Sequence, residues 1–267
     1  MTLNRTNIEW CGGGFSWNPV SGCDHPFNKV VPTNPRARAC EYCYACVIGE
    51  VRYKGSKGFP NGFAPTFHPK RLNDPRAAKI PSLIFTVSTG DLFCPGAKQE
   101  WREQIYDSMI TYDQHVYLIL TKAPGKIEST LYGKSAGYRL GGGDWYDHIW
   151  FETTVDTASA VKRLDALKRF NERTGGDWHL FVSFEPLLEQ MPSDLNLNGI
   201  EWVIIGQRTK PNNHPPLEWI LNIMDRAADY QIPVFIKNNI LEEYFPDRTD
   251  LQNYPKRLSR YVHKKER

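Results

Sequence analysis

Leu83-Ile84-Phe85-Thr86-Val87 runs directly into Ser88-Thr89-Gly90-Asp91. The first five residues are apolar or β-branched and do not alternate with polar ones, the pattern of a strand buried on both faces. The next four are polar and include a glycine, the pattern of a strand opening onto a loop. The same junction recurs along the chain. Val116-Tyr117-Leu118-Ile119-Leu120 precedes Thr121-Lys122, and Ile149-Trp150-Phe151 precedes Glu152-Thr153-Thr154. Leu180-Phe181-Val182 precedes Ser183-Phe184-Glu185-Pro186, and Trp202-Val203-Ile204-Ile205 precedes Gly206-Gln207-Arg208. Pro233-Val234-Phe235-Ile236 precedes Lys237-Asn238-Asn239.

Helical spacing fills the gaps between these runs. Apolar residues recur at Trp101, Ile105 and Met109 within 98–110, and at Val161, Leu164, Leu167 and Phe170 within 157–170. Ile220, Leu221, Met224 and Ala228 repeat the pattern within 217–230. Strand alternating with helix predicts an α/β fold with a parallel sheet. With a first strand near residues 16–20, about six or seven β/α units are expected, short of the eight of a closed barrel. A partial (β/α)6-7 TIM-like barrel is the preferred architecture, with an open doubly wound sheet as the alternative. Either one brings the polar residues at the strand carboxyl ends to the site: Asp91, Lys122, Glu152, Thr154, Ser183, Glu185, Gln207, Arg208 and Lys237.

The chain of 267 residues reads as one domain spanning 1–267. Residues 131–147, with Gly141-Gly142-Gly143, read as a loop insertion, and 254–267 as a basic tail whose plain reading is a solvated helix end. The triplet Gly133-Lys134-Ser135 is not a phosphate loop, because the position where that motif requires its first glycine is Glu128. Lys plus Arg is 33 against 30 for Asp plus Glu, so charge permits a nucleic-acid partner without requiring one. Neither a secretory leader nor an apolar run of membrane-spanning length is visible, and a cytoplasmic location is expected.

In a reducing compartment, clustered cysteines point to metal. Cys40, Cys43 and Cys46 form C-x2-C-x2-C, with Cys23 upstream and Cys11 and Cys94 elsewhere. Three thiolates leave an open coordination position, which fits an iron–sulfur cluster with one uncapped iron or a zinc carrying a water. Four thiolates, with Cys46 included, would make a structural zinc clip instead, and the protein a non-catalytic β/α binder of nucleic acid or a partner protein. The residues alone leave the two open. A zinc hydrolase using Glu185 or Asp91 ranks last, because the histidines show no ligand-like pairing.

Cys40-Glu41-Tyr42-Cys43 resembles the end of the radical S-adenosylmethionine (SAM) cluster loop, although Cys23 stands much further upstream than in the usual motif. The wider pattern resembles an often phage-encoded, radical-SAM-like family distantly similar to spore photoproduct lyase. It runs through Ile8-Glu9-Trp10, Trp17-Asn18-Pro19-Val20-Ser21-Gly22-Cys23, His68-Pro69-Lys70-Arg71-Leu72, Ser88-Thr89-Gly90-Asp91-Leu92-Phe93, Leu120-Thr121-Lys122-Ala123-Pro124 and Ser183-Phe184-Glu185-Pro186.

The resemblance implies a [4Fe–4S] cluster on Cys23, Cys40 and Cys43 within a loop spanning 21–46, with SAM on the fourth iron. SAM would then be cleaved reductively to a 5′-deoxyadenosyl radical, with a flavodoxin or ferredoxin as electron donor. By the same resemblance Ser88, Thr89, Gly90 and Asp91 meet the SAM amino group. Glu152 and Thr154 meet the ribose, Ser183 and Glu185 serve SAM or substrate, and Gly206 and Gln207 border adenine. Tyr42 and Tyr44 flank the cluster. Lys122, Arg208 and Lys237 would lend the mouth positive charge, and a nucleic acid or nucleotide is the first expectation for the substrate.

Overall fold

The computed structural model describes residues 3–128, 146–209 and 212–263. Nearly all of the expected insertion 131–147, the Gly133-Lys134-Ser135 triplet, and the end of the basic tail lie outside the described residues.

Eight strands form one sheet: β1 (Asn4–Arg5), β2 (Phe15–Trp17), β3 (Leu83–Thr86), β4 (Val116–Thr121), β5 (Ile149–Thr154), β6 (His179–Phe184), β7 (Trp202–Ile205) and β8 (Val234–Ile236). They lie side by side in chain order. Only β1 pairs antiparallel; β2 through β8 are parallel throughout. This is a mixed α/β fold on a mostly parallel sheet. Strand order never reverses, so the doubly wound alternative, which needs a switch point, is excluded.

The crossover helices start close to where the spacing put them: α1 (Gln99–Thr111), α2 (Val161–Arg173) and α3 (Leu217–Asp229), followed by α4 (Asn238–Tyr244). On α2 the buried residues are Leu164, Leu167 and Phe170, as the periodicity requires. On α3 they are Ile220, Ile223 and Ala227, while Leu221 is exposed, so the buried face is rotated by one residue from the expected one. No α-helix links β6 to β7.

The strands read as unbroken apolar runs because both sheet faces are covered. One face carries Ile84, Ile119, Phe151, Val182, Ile205 and Ile236, packed with the helices. The other carries Phe85, Leu118, Trp150, Phe181, Trp202, Ile204 and Phe235. Its cover comes from the chain ends. Trp10, in the turn Glu9–Cys11, sets its ring edge-on against Phe85 at 4.8 Å and against Phe181 and Trp202 at 6.3 Å each. Leu258 and Tyr261, in the 3-10 segment Lys256–Tyr261, pack into the same cluster. The described part of the basic tail is therefore not a solvated extension. Leu258 and Tyr261, with Tyr254 and Val262 packed beside them, seal a sheet face that would otherwise expose aromatic rings to water.

Candidate functional site at the strand carboxyl ends

Strand β3 ends abruptly. Val87 takes φ 61°, a left-handed conformation unfavourable for a β-branched residue, and its N–H donates to the Trp17 carbonyl at 2.7 Å. That turn presents residues 88–91. The Asn18 side-chain oxygen gathers them, accepting from the Ser88 hydroxyl at 3.1 Å and from the Thr89 N–H and hydroxyl at 3.0 Å each. The cysteine loop is stitched to the same turn. The Gly22 N–H donates to the Thr89 carbonyl at 2.9 Å, and a Cβ on Gly90 would lie 2.5 Å from the Gly22 carbonyl oxygen, so only glycine permits this approach.

From Gly22 the chain makes a small lobe outside the sheet. A hairpin, Lys29–Val31 with Asn34–Ala39, leads to Cys40. The Cys43 N–H closes a turn on the Cys40 carbonyl at 3.1 Å, and the Cys43 sulfur accepts from the Cys46 N–H at 3.4 Å, capping the helical turn Tyr44–Cys46. That turn continues as a π-helix over Val47–Arg52. Glu50 pins the lobe together. Its carboxylate accepts from the Asn34 amide and the Phe63 N–H at 2.9 Å each, from Thr33 at 3.0 Å, and from Lys54.

Three further ties hold the lobe over the strand ends. Tyr42, between two of the cysteines, donates to Asp156 just beyond β5, and Asp156 also accepts from Lys122 at 3.0 Å and Arg163 at 2.9 Å. The Tyr44 hydroxyl donates to the Ser88 carbonyl at 2.6 Å. His25 pairs with buried Asp91 at 2.8 Å. Asp91 also accepts from Thr121 and from the N–H groups of Phe93 and Lys122. Its burial works against ionisation, but His25 and these donors outweigh it and hold the carboxyl below its ordinary range. Asp91 is thus fully occupied by protein donors. Its visible work is to fasten the loop.

Asn28 stands between two of the sulfurs, with its amide nitrogen 3.9 Å from Cys23 and its oxygen 3.5 Å from Cys40. The Cys23 thiol neighbours buried Cys94; the hydrogen bond with Cys94 and burial together push it far above the ordinary thiol range. Burial pushes Cys43 up to about 12, reinforced by the proximity of Cys40 and Cys46. Among the described residues no three Cys, His, Asp or Glu side chains converge as a ready-made metal site. The donors suit a thiophilic metal in kind and lie on one loop. Cys23 and Cys43 are held as neutral thiols, and a metal would have to displace their protons.

Across from the loop, Glu152 is wholly buried, and neither carboxylate oxygen has a hydrogen-bond partner among the described residues. Burial, reinforced by the negative charge of Glu185, raises its carboxyl well above the usual range; Ser183 on the adjoining strand pulls weakly the other way without a hydrogen bond of normal geometry. Thr154, Ser183 and Gln207 are buried nearby at strand ends, and the Gln207 side-chain oxygen also lacks a donor. Lys237 pairs with Glu185 beside Gly206, where a Cβ would come within 2.8 Å of the lysine side chain. Lys122 and Lys237, two of the three cations expected to charge the mouth, are therefore neutralised by acids. Arg208 lies partly buried in the short strand Arg208–Thr209. His25, Asn28, Asp156, Arg163 and Glu50 were missed by the sequence reading. Asp156 lies two residues beyond a strand and His25 two beyond Cys23, so position alone could have flagged both.

The profile of a family described as a protein of unknown function, DUF5131, matches residues 5–256. The chain belongs to the DUF5131 family. No curated protein matches it by sequence. Among solved structures, this DUF5131 chain is similar to spore photoproduct lyase complexed with dinucleoside spore photoproduct, with a TM-score of 0.48, 10% identity, and 85% of this chain covered. A variant of that lyase with bound AdoMet and dinucleoside spore photoproduct gives 0.47, 11% and 85%. The chain spans 64% of the length of each of these lyase chains. No described helix is long and apolar enough to cross a membrane.

Proposed function

We propose that this chain is a radical SAM enzyme, that its open parallel sheet is an incomplete barrel, and that Cys23, Cys40 and Cys43 are the cluster ligands. One observation carries the reading. The loop bearing Cys40-Glu41-Tyr42-Cys43 is tied by Tyr42, Tyr44 and His25 directly over the carboxyl ends of successive parallel strands, where β/α enzymes assemble their chemistry. Bound there, a [4Fe–4S] cluster with SAM supplies a carbon radical able to abstract hydrogen from a substrate.

The chain's own residues prepare for this. Tyr42 and Tyr44 flank the thiols and position their loop. Asp91 and Asn18 hold the 88–91 turn in the shape that faces SAM. Glu152 and Thr154 offer polar groups toward its ribose, and Gly206 and Gln207 border its adenine. Ser183 and Glu185 border the substrate side, with Lys122, Arg208 and Lys237 around it. A nucleotide or nucleic acid as substrate is carried by the sequence resemblance alone, and the enzyme is placed in the cytoplasm with a flavodoxin or ferredoxin as donor.

The test is metal and sulfide analysis of anaerobically purified, reconstituted protein. About four iron and four sulfide per chain, lost in Cys40→Ala and Cys43→Ala, are expected, together with 5′-deoxyadenosine formed from SAM and reductant. Zinc without sulfide, lost in Cys46→Ala, would replace this reading with a structural zinc clip. That alternative keeps an observation of its own, since Cys46 lies close enough to Cys40 for their charges to interact.

A further inference from the structure

Residues 24–39 stand between Cys23 and the C-x2-C-x2-C run, and this stretch sets the chain apart from the usual cluster loop. Its second half is the hairpin already described. Its first half is a tight turn, closed by the Asn28 N–H on the His25 carbonyl at 3.0 Å. The turn is fastened to the sheet through two side chains. His25 pairs with buried Asp91 at 2.8 Å. Phe27 stacks on the His25 ring at 4.7 Å, and the Arg163 guanidinium lies 5.6 Å from the Phe27 ring centre. Arg38 ties the hairpin back to the turn. Its N–H donates to the Cys23 carbonyl at 2.8 Å and its guanidinium to the Asn28 carbonyl at 3.3 Å. The backbone of half-buried Asn28 is thus fixed by contacts that leave its side chain for other work.

That side chain reaches two thiols. Its nitrogen donates to the Cys23 sulfur at 3.9 Å, and its oxygen accepts from the Cys40 sulfur at 3.5 Å. The two contacts respond to metal in opposite ways. A metal ligated by cysteine displaces the thiol protons. A thiolate accepts hydrogen bonds and cannot donate, so the contact to Cys23 becomes charge-assisted and stronger. The contact to Cys40 loses its proton and leaves an oxygen facing a negative sulfur. An asparagine NH2 carries two donors. With the amide turned so that its nitrogen meets both sulfurs, that repulsion is gone and each thiolate has a donor.

We propose that Asn28 is a positioning residue for the thiol-bound centre, whose NH2 group donates to the Cys23 and Cys40 sulfurs once a metal has taken their protons. The inference rests on the reading that both cysteines ligate one centre. Hydrogen bonds to the sulfurs draw negative charge from them and so favour the reduced form of a cluster, which carries the extra electron. Removing the donors therefore lowers the potential. Residues 24–39 are, on this account, the segment that carries the amide to the sulfurs and braces it against the sheet.

The experiment compares the full-length wild type with N28A and N28D. N28D keeps an oxygen that accepts from Cys40, and with it the turn, but has no N–H and adds a negative charge. N28A removes donor and acceptor together. A donor role puts the cluster potential highest in wild type, lower in N28A and lowest in N28D. A merely structural role leaves N28D beside wild type and displaces N28A alone. Redox titration of the reconstituted proteins, followed by electron paramagnetic resonance, reads the order. About tenfold in the reduction equilibrium, or about 59 mV, is expected between wild type and N28A. Equal potentials in all three proteins, or the structural order, overturn the proposal. Cobalt(II) titration of the metal-free proteins gives a second reading that needs no cluster. The thiolate-to-cobalt charge-transfer band should fall in energy in the same order, because a donor to sulfur stabilises the electron pair that the transition moves. A wild type that holds no iron and sulfide after reconstitution overturns the cluster reading, and the cobalt band still decides the role of Asn28. A wild type that shows neither a cluster nor a thiolate–cobalt band overturns both. If N28A takes up no metal, the comparison of wild type with N28D carries the test.

Discussion

Replacing Glu50 with Gln keeps the side chain's shape and removes its charge, so it isolates what holds the thiol lobe together. Burial alone would raise this carboxyl, but Lys54, Asn34, the Phe63 N–H and Thr33 outweigh it and hold it at about 2. A glutamine offers one oxygen where the carboxylate offers two. Its best orientation keeps that oxygen on Asn34 and Phe63 and turns the NH2 toward Thr33 and Lys54. Two hydrogen bonds to a charged acceptor become neutral ones, at about 1 kcal/mol each, and the contacts to Thr33 and half-exposed Lys54 cost about 1 kcal/mol more. The expected loss is about 3 kcal/mol, or about a hundredfold in a local opening equilibrium. Amide hydrogen exchange read by mass spectrometry measures it. Peptides within 29–63 should exchange about a hundredfold faster in E50Q, while peptides from β5 should not change. The pH dependence has a definite sign. A depressed carboxyl stabilises above its ordinary value of 4.5 and loses that contribution as pH falls through about 2. Wild-type lobe protection should therefore decay across that window, and E50Q should stay flat. Protection within 29–63 that is the same in both proteins would refute the assignment of Glu50 as the lobe's anchor.

The buried carboxyl of Glu152 is raised, so its contribution to stability is intact below the ordinary value and is lost as pH rises. Glu152→Gln should melt at a higher temperature than wild type above neutrality and with a shallower pH dependence; a lower melting temperature there would show that the charge is needed for folding. At the opposite end of the sheet His179 lies 2.6 Å from both Glu201 and Asp147. Burial works against its charged form, but the two carboxylates outweigh it and raise the imidazole. Stability from this group is full below about 6.5 and falls as pH rises through the raised value, so His179→Gln should flatten the alkaline side of the melting-temperature profile. Trp10→Ala removes the ring that covers Phe85, Phe181 and Trp202 and should cost about 3–5 kcal/mol in urea unfolding; a loss under about 1 kcal/mol would mean the opposite face is sealed by other residues.

Much of the fold was legible before any coordinates because it rests on local pattern. Unbroken runs such as Leu83-Ile84-Phe85 and Trp202-Val203-Ile204-Ile205 required cover on both faces, and the three-to-four spacing of Leu164, Leu167 and Phe170 required a helix against one of them. The approximate number of parallel strands and the polar residues at their ends followed from that. The cysteine spacing was equally visible. Tertiary structure alone decided what those polar groups do. Nothing in Asp91, Lys122 or Lys237 as residues tells that each meets a polar partner from a distant segment, His25, Asp156 and Glu185 respectively. Nothing in Glu50 tells that donors from Thr33, Asn34 and Phe63 converge on it. Hydrophobic periodicity is written along the chain because each element carries its own buried face. A hydrogen-bond or ion-pair partner depends on which remote residue the folded chain brings within about 3 Å, and that proximity exists only once the sheet and its loops are assembled.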